Sequence, residues 1–269
     1  MYPVFEPFSG FIIYSFGITL TICFFSFIWM IKKLSERFGY NSYFFIKDIV
    51  WYFLSIFIFS RLFYIISQFN NLMYIKDAYG FFIMSDYNFS LVGAVIGFLI
   101  VFIINLKLKK EKFIKYVDGL SISFIFILSI GFIGALLGGQ VYGIETNLGI
   151  EITYKHPFSP ISNGIEIFPL AIIYSISFFI IFSTLYILSM FIHIKGLIGY
   201  MGLISVSCIF LIFDFFSGKH DILKNFLGLT FTQFFSIILI GFCVKQLYLI
   251  FKENDENSFK KFILNAFKK

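Results

Sequence analysis

Long apolar stretches separated by short polar segments follow one another along almost the whole chain. Each stretch is about 20 residues long, which is the length that an α-helix needs to cross the hydrocarbon of a bilayer. Apolar residues occupy every face of these stretches, as expected for helices surrounded by lipid and by one another. The pattern predicts seven spans, near Gly10–Ile31, Ile49–Gln68, Ser90–Leu106, Asp118–Leu137, Phe168–Ile192, Leu197–Phe216 and Thr230–Phe251.

The composition also favours a membrane protein. Of the 269 residues, 59% are hydrophobic and 13% are charged, whereas a soluble domain carries about 25% charged residues. No polar segment between the apolar stretches is long enough to form a separate domain. We therefore predict an all-α integral membrane protein, a bundle of about seven transmembrane helices. Its membrane domain covers residues 1–251 and its basic cytoplasmic tail covers residues 252–269.

The basic residues predict how this bundle is oriented. If the N-terminus lies outside, the inner segments carry 15 lysines and arginines and the outer segments carry 4. Cytoplasmic segments are enriched in these residues, so we predict an outside N-terminus and a cytoplasmic C-terminus. The topology accounts for the net charge of +6 without a nucleic-acid partner. The tail is either an amphipathic helix on the anionic inner leaflet or a solvated terminus.

Two further features exclude particular classes of protein. The first ten residues contain no Lys or Arg, and no small-residue cleavage site follows the first apolar stretch, so we expect no cleaved signal peptide. Cys23, Cys208 and Cys243 lie far apart within apolar stretches, without the spacing of a metal or redox site. They are predicted to be buried structural thiols, and we expect no metal and no cofactor.

Ionisable residues inside predicted spans are candidates for a functional site. Arg61 offers a fork of donors that matches phosphate oxygens; the alternatives are a structural ion pair or a side chain that reaches the outer headgroups. Asp214, near the outer end of the sixth span, pairs with Arg61 or Lys219, or is a solvated interfacial carboxylate. Asp118, at the inner start of the fourth span, is predicted to cap that helix.

The glycine-rich segment Gly131–Gly143 is the most distinctive sequence in the chain. Five glycines in thirteen residues near the end of a span allow close helix contact followed by an irregular turn. Backbone N–H groups in such a turn can bind an anion, although a packing seam without a ligand is the simpler interpretation. The histidines stand apart, with His156 and His220 in outer loops and His193 at the inner surface, as is typical of solvated loop residues.

This segment resembles the signature of prolipoprotein diacylglyceryl transferases, roughly Gly-Arg-Ile-Gly-Asn-Phe-Ile-Asn-Gly-Glu-Leu-Tyr-Gly. Six positions match, and they are Gly131, Ile133, Gly134, Gly139, Tyr142 and Gly143. Other segments resemble further family blocks in the same order, and they are Ile13–Ile18, Ser60–Tyr64, Ser90–Gly97, Phe168–Pro169 and Gly228–Ser236. The resemblance covers nearly the whole chain, and family members also have seven spans with an outside N-terminus.

The resemblance implies a multi-pass protein of the bacterial cytoplasmic membrane that acts in lipoprotein biosynthesis. Family members transfer a diacylglyceryl group from phosphatidylglycerol to the lipobox cysteine thiol of a preprolipoprotein and release glycerol phosphate. The reaction needs a base that forms the thiolate and donors that stabilise the departing phosphate. The implied partners are the phospholipid and the preprolipoprotein signal peptide.

Apolar or uncharged residues occupy most of the family's polar active-site positions. The replacements, in chain order, are Phe16 for the first-span Tyr, Val92 for the third-span His, Phe132, Ala135 and Gln140 for the signature Arg, first Asn and Glu, Phe210 for the sixth-span Arg, Asp214 for the Glu that follows it, and Ser217 for the Arg after that. The glycines, the aromatic residues and Arg61 remain, so the scaffold is better supported than the catalysis.

Three hypotheses follow. The first is a transferase with a rearranged site, in which His156 or His220 is the base. Its phospholipid-binding residues are predicted to be Arg61, Gly134, Gly139, Gln140, Tyr142, Gly143 and Asp214. The second is a non-catalytic lipid- or lipoprotein-binding homologue that acts beside a complete enzyme. The third, an unrelated transporter, is disfavoured because the chain has no inverted internal repeat and few polar residues within its spans. The first is slightly favoured because families usually keep their reaction class.

Overall fold

The computed structural model describes residues 3–8, 11–67, 89–155, 164–192, 194–218 and 228–266. The fold is all-α, with 74% helix. Within the described residues, seven helices are long and apolar enough to cross a membrane, which confirms the predicted number. They are α1 (Ser15–Phe38), α3 (Ile49–Ser67), α4 (Leu91–Lys109), α5 (Ile114–Gly138), α6 (Leu170–Leu188), α7 (Leu197–Phe213) and α8 (Phe231–Ala266). The short helix α2 (Tyr43–Ile46) connects α1 to α3, and a 3-10 turn (Asp214–Phe216) follows α7.

An antiparallel hairpin precedes the first helix. Strand β1 (Val4–Phe8) pairs with β2 (Phe11–Tyr14), with Val4 opposite Tyr14. The prediction that the first span begins near Gly10 and ends near Ile31 was therefore wrong at both ends. Residues 11–14 are aromatic or β-branched, types that fit an extended strand, and the hairpin gives their backbone a partner. The helix ends after Phe38, where Gly39 adopts the left-handed conformation with φ of 68°.

Helix α5 is the centre of the bundle. It packs against α1, α6 and α7. In its most apolar 18-residue segment, 56% of the residues are buried inside the bundle, the largest share among the seven spanning helices. Glycines allow the closest contacts, because a Cβ at Gly134 would overlap the side chain of Thr19 on α1. On α7, a Cβ at Gly199 would lie 2.7 Å from the backbone of Val117. Such contacts are the usual way in which helices associate in a bilayer, where van der Waals packing replaces the hydrophobic driving force.

The prediction that Asp118 caps its own helix was wrong. Helix α5 begins four residues earlier, at Ile114, and the Asp118 side chain is only 3% exposed. Its two carboxylate oxygens accept hydrogen bonds from the backbone N–H groups of Gly196 and Gly199, each at 2.6 Å. These groups lie at the N-terminus of α7, where a negative charge is favourable. Asp118 thus caps a neighbouring helix and ties α7 to α5.

Helices α3 and α4 form a close pair at the side of the bundle. A Cβ at Gly97 would lie 2.5 Å from the carbonyl oxygen of Ser55, and the Ser55 hydroxyl donates a hydrogen bond to the Gly97 carbonyl at 2.8 Å. In the second half of α4, Phe102 contacts the rings of Phe44 on α2 and Tyr116 on α5, with centroids 5.8 and 5.9 Å away. These rings attach the α3–α4 pair to the rest of the bundle.

The last helix includes the predicted tail. Helix α8 runs from Phe231 to Ala266 without a break at residue 251, and the division into a domain and a tail stays a prediction.

Cys23 and Cys243 are buried, as expected, but Cys208 is exposed. The prediction of a buried thiol was wrong there because Cys208 lies on an outer face of α7.

Candidate functional site

The segments singled out in the sequence meet at one end of the bundle. Gly134 contacts Thr19, which places the end of α5 beside the start of α1. Gly143, in the loop after α5, lies against Phe168 before α6 and Phe216 after α7. We call this region, which includes residues 138–143, 168, 214–217 and 230, the signature end. The opposite end of the bundle contains α2 and the end of α1.

The glycine-rich segment ends α5 and then leaves the helix axis. Gly139 adopts the left-handed conformation with φ of 69°, and its N–H bonds back to the carbonyls of Ala135 and Leu136. The N–H of Gln140 also bonds to the Ala135 carbonyl, at 2.9 Å. These two N–H groups therefore satisfy the helix terminus. Their use in the cap removes them from the predicted anion-binding turn, and the half-buried Gln140 side chain lies beside Gly138.

The next three backbone N–H groups are not used in the helix cap. Within the described part of the chain, the N–H groups of Val141, Tyr142 and Gly143 donate no backbone hydrogen bond. The loop is held through other atoms, since Gly218 donates to the Tyr142 carbonyl at 3.1 Å and Ile144 donates to the Phe216 carbonyl at 2.9 Å. Three successive N–H groups on a fixed loop are suitable donors for an anion.

The loop can approach its neighbours this closely only at a glycine. A Cβ at Gly143 would lie 2.6 Å from the carbonyl oxygen of Phe168, so any larger residue requires a backbone shift. Tyr154 supports the turn from the other side, because its buried hydroxyl donates to the Leu136 carbonyl at 2.8 Å. Burial raises the pKa of Tyr154 to about 12, and it also raises the pKa of Tyr142. The Tyr154 hydroxyl is therefore a neutral donor at physiological pH.

Arg61 is a buried cation on α3. It is 5% exposed, and it lies on α3 six residues before the helix ends, which is about 9 Å along the axis. Its guanidinium carbon is 5.9 Å from the centre of the Tyr64 ring. The preceding residue, Ser60, accepts a hydrogen bond from the N–H of Ser90 through its carbonyl, at 3.0 Å. This contact fixes α3 against the start of α4 beside Arg61.

Asp214 joins three elements at the signature end. One carboxylate oxygen accepts a hydrogen bond from the Tyr174 hydroxyl on α6 at 2.8 Å. The other accepts one from the Thr230 hydroxyl before α8, at 2.5 Å. Charge-assisted bonds of this kind are about twice as strong as neutral ones. The structure thus links Asp214 to neutral hydroxyl groups on α6 and just before α8, and the predicted alternative partner Lys219 lies outside the described residues.

Thr230 and Gln233 also form a capping box for α8. The N–H of Gln233 donates to the Thr230 hydroxyl oxygen at 3.1 Å, and the N–H of Thr230 donates to the Gln233 side-chain carbonyl at 2.9 Å. The remaining amide of Gln233 reaches the carbonyl of Leu211 on α7, at 3.1 Å. The Thr-x-x-Gln spacing is itself a known capping signal, so this box was visible in the sequence although we did not predict it.

Four aromatic rings fill the space between α5, α6 and α7 near Asp214. We call them the four-ring cluster, which comprises Phe132, Tyr174, Phe178 and Phe210. The Phe132 ring lies 4.8, 5.5 and 6.2 Å from those of Tyr174, Phe178 and Phe210. All four side chains are buried. The Tyr174 hydroxyl is the polar edge of this cluster, and it points to Asp214.

The histidines considered in the sequence analysis lie outside the described residues. His156 and His220, the candidate bases, and His193 all fall there. Among the residues that the structure describes, no group of three His, Cys, Asp or Glu side chains is arranged to hold a metal.

A family model decides the affiliation of the chain. The model for prolipoprotein diacylglyceryl transferases matches residues 3–249 of the 269. The chain belongs to this family. No curated protein matches the chain significantly. The match confirms the resemblance found in the sequence, and together with the seven spans it makes the chain a multi-pass membrane protein of a lipid-modifying family.

The four-ring cluster has a particular meaning in a diacylglyceryl transferase. The sequence resemblance sets Phe132 and Phe210 at the positions of two family arginines, and the structure places their rings 6.2 Å apart. These two positions, which are distant in the sequence, are therefore neighbours in the bundle. The third-span position at Val92 is buried as well. All three of these side chains are apolar and buried in the bundle.

Proposed function

We propose that this chain transfers a diacylglyceryl group from phosphatidylglycerol to the lipobox cysteine of a preprolipoprotein, through a rearranged active site. The observation that carries the proposal is the burial of Arg61, which is 5% exposed within a spanning helix. Ionisable residues inside spanning helices are rare and often mark a functional site. The Arg61 fork matches the two oxygens of a phosphodiester.

The turn after α5 supplies the second part of this site. Since Gly139 and Gln140 are used in the helix cap, the backbone donors that remain for the phosphate are the N–H groups of Val141, Tyr142 and Gly143. Gly134 and Gly139 contribute by shaping the helix contact and the turn. Asp214 contributes by holding the hydroxyls of Tyr174 and Thr230 in place.

The reaction would proceed by displacement at the glyceryl carbon. A base removes the proton from the cysteine thiol, and the thiolate sulfur forms a bond to that carbon. The carbon–oxygen bond to the phosphate breaks, and its electron pair stays on the oxygen of glycerol phosphate. Arg61 and the N–H groups of the turn stabilise the charge on this leaving group. His156 and His220 are the candidate bases.

The second candidate function is binding of lipid or lipoprotein without catalysis. The specific observation in its favour is the four-ring cluster, because aromatic rings occupy the positions of two family arginines and exclude a charged headgroup from that space. In this case Arg61 would still bind the headgroup, and a complete enzyme would perform the transfer.

An assay in proteoliposomes separates the two functions. The purified protein, phosphatidylglycerol and a lipobox peptide are combined, and the added diacylglyceryl mass on the peptide is followed. Arg61→Ala is expected to lower the rate at least about a hundredfold, since charged groups that stabilise a transition state are worth about 3 kcal/mol. Arg61→Lys, which keeps the charge but lacks the forked guanidinium donors, should recover only part of the lost rate. Lys245→Ala, which removes an exposed cation from α8, is the control and should leave the rate unchanged.

Phosphatidylglycerol binding is measured on the same proteins. Binding that depends on Arg61 without any product would support the non-catalytic function. A protein that gives no product and binds no phosphatidylglycerol would overturn both functions.

A further inference from the structure

A second group of charged and aromatic side chains lies at the opposite end of the bundle, between α1 and α6. We call it the α1–α6 cation cluster, and it comprises Trp29, Lys33, Arg37, Tyr186 and Ser189. It is separate from the signature end, because Lys33 lies about 27 Å along α1 from Ser15 at 1.5 Å per residue. This distance is close to the thickness of the hydrocarbon core, about 30 Å, so the cluster lies at the depth of the other leaflet's headgroups.

Arg37 is held in a fixed orientation by α6. One terminal nitrogen of its guanidinium donates to the Ser189 hydroxyl at 2.6 Å and to the Tyr186 carbonyl at 3.3 Å. The other donates to the Tyr186 hydroxyl at 3.4 Å, and the guanidinium carbon lies 4.6 Å from the centre of the Tyr186 ring. Within the described contacts, the Nε–H and a second N–H of that other terminal nitrogen are not used. They remain available to an anion.

Lys33 adds a second cation one helical turn away. Its ammonium lies 4.9 Å from the centre of the Trp29 ring and 5.3 Å from that of Tyr186. Trp29 is 54% exposed, as is typical of a tryptophan at the membrane interface. Both cations are exposed and share the Tyr186 ring, which brings two positive charges together.

Within the described part of the chain, neither Lys33 nor Arg37 forms an ion pair, although the exposed Glu36 lies between them in the sequence of α1. The ion pairs found there join Lys109 to Asp48 and Lys115 to Glu111. Two exposed cations beside one carboxylate leave a net positive charge at headgroup depth, and the spare donors of Arg37 favour a bound anion.

We propose that the α1–α6 cation cluster binds the phosphate of an anionic phospholipid. The guanidinium of Arg37 donates to the phosphate oxygens and Lys33 neutralises the charge, while Trp29 packs against the glycerol and the upper acyl chains. Under the predicted orientation the lipid belongs to the cytoplasmic leaflet, whose surface is negative. This site is independent of the proposed transferase activity and would persist if that activity were absent.

Native mass spectrometry of the purified full chain tests the proposal. Phosphatidic acid is the probe, because it carries the required phosphate and is not the donor proposed for the transfer; phosphatidylcholine with the same acyl chains is the neutral comparison. We expect one phosphatidic acid to bind more tightly than phosphatidylcholine. Lys33→Gln combined with Arg37→Gln should weaken its binding about tenfold or more, because two basic residues near a charged lipid together contribute about this much.

The matched control removes two exposed lysines from the same end, Lys107→Gln with Lys112→Gln, and should leave the affinity unchanged. Equal weakening in both double variants would overturn the proposal in favour of diffuse attraction. Lys33→Gln alone keeps the bonds between Arg37 and α6, so it should fold normally and weaken binding by about threefold. An unchanged affinity in this variant, or displacement of the lipid by millimolar inorganic phosphate, would equally contradict a lipid site.

Discussion

The four-ring cluster makes a quantitative prediction for Phe132→Ala. Phe132 is 7% exposed and contacts three rings. Each aromatic pair contributes about 0.5–1.5 kcal/mol, and truncation of a buried Phe in a soluble core costs about 3–5 kcal/mol. Lipid solvates apolar side chains in the unfolded bundle, so the transfer part of this cost is smaller here. We therefore expect a loss of about 2–4 kcal/mol of unfolding free energy.

The buried thiols of Cys23 and Cys243 supply the assay. A thiol-reactive fluorophore labels them only when the bundle opens on heating, once the exposed Cys208 has been replaced by Ser. Phe132→Ala should lower the midpoint by about 5–10 °C. The control is Phe53→Ala on α3, where the ring is 59% exposed, and it should shift the midpoint by less than about 2 °C. Equal shifts in the two variants would refute the idea that the rings fill the site as a packed core.

Further predictions concern individual contacts. Asp118→Ala should destabilise the bundle by about 3–5 kcal/mol, because two charge-assisted bonds to the start of α7 are lost, and Asp118→Asn by less; the same thermal assay measures both. Tyr174→Phe removes one hydroxyl that bonds to Asp214, so it should cost about 1–3 kcal/mol without a cavity. Gly143→Ala forces a Cβ against the Phe168 carbonyl, and the transfer rate should fall more than the midpoint does. Midpoints unchanged in the Asp118 and Tyr174 variants would contradict these contacts.

The number and approximate limits of the spans could be predicted because helices in lipid must be apolar on every face over a known length. The start of α1 could not be predicted in the same way. Residues 11–14 are as apolar as the helix that follows, and only the pairing with residues 4–8 makes them a strand. The role of Asp118 was equally hidden, because its partners are the N–H groups of residues 78 and 81 positions away.

The candidate site shows the same limit. The sequence identified Arg61 and the turn at Gly143 from their residue types and from the family resemblance. Phe132 and Phe210 stood there as two separate replacements, because their proximity appears only when α5 and α7 are packed together. Likewise, the bonds from Tyr174 and Thr230 to Asp214 depend on the packing of three helices. Residue type and resemblance could nominate individual residues for the site, but the contacts between them depend on tertiary packing and could not be predicted.

Whether this divergent chain still performs the transfer is decided most directly by fragmentation mass spectrometry of a lipobox peptide. The peptide is incubated with the purified protein in phosphatidylglycerol liposomes. We expect one diacylglyceryl group in thioether linkage to the cysteine, released glycerol phosphate in equal amount, and loss of both with Arg61→Ala. An unmodified peptide, under conditions in which a family member with all its polar residues gives product, would contradict the proposed transferase function.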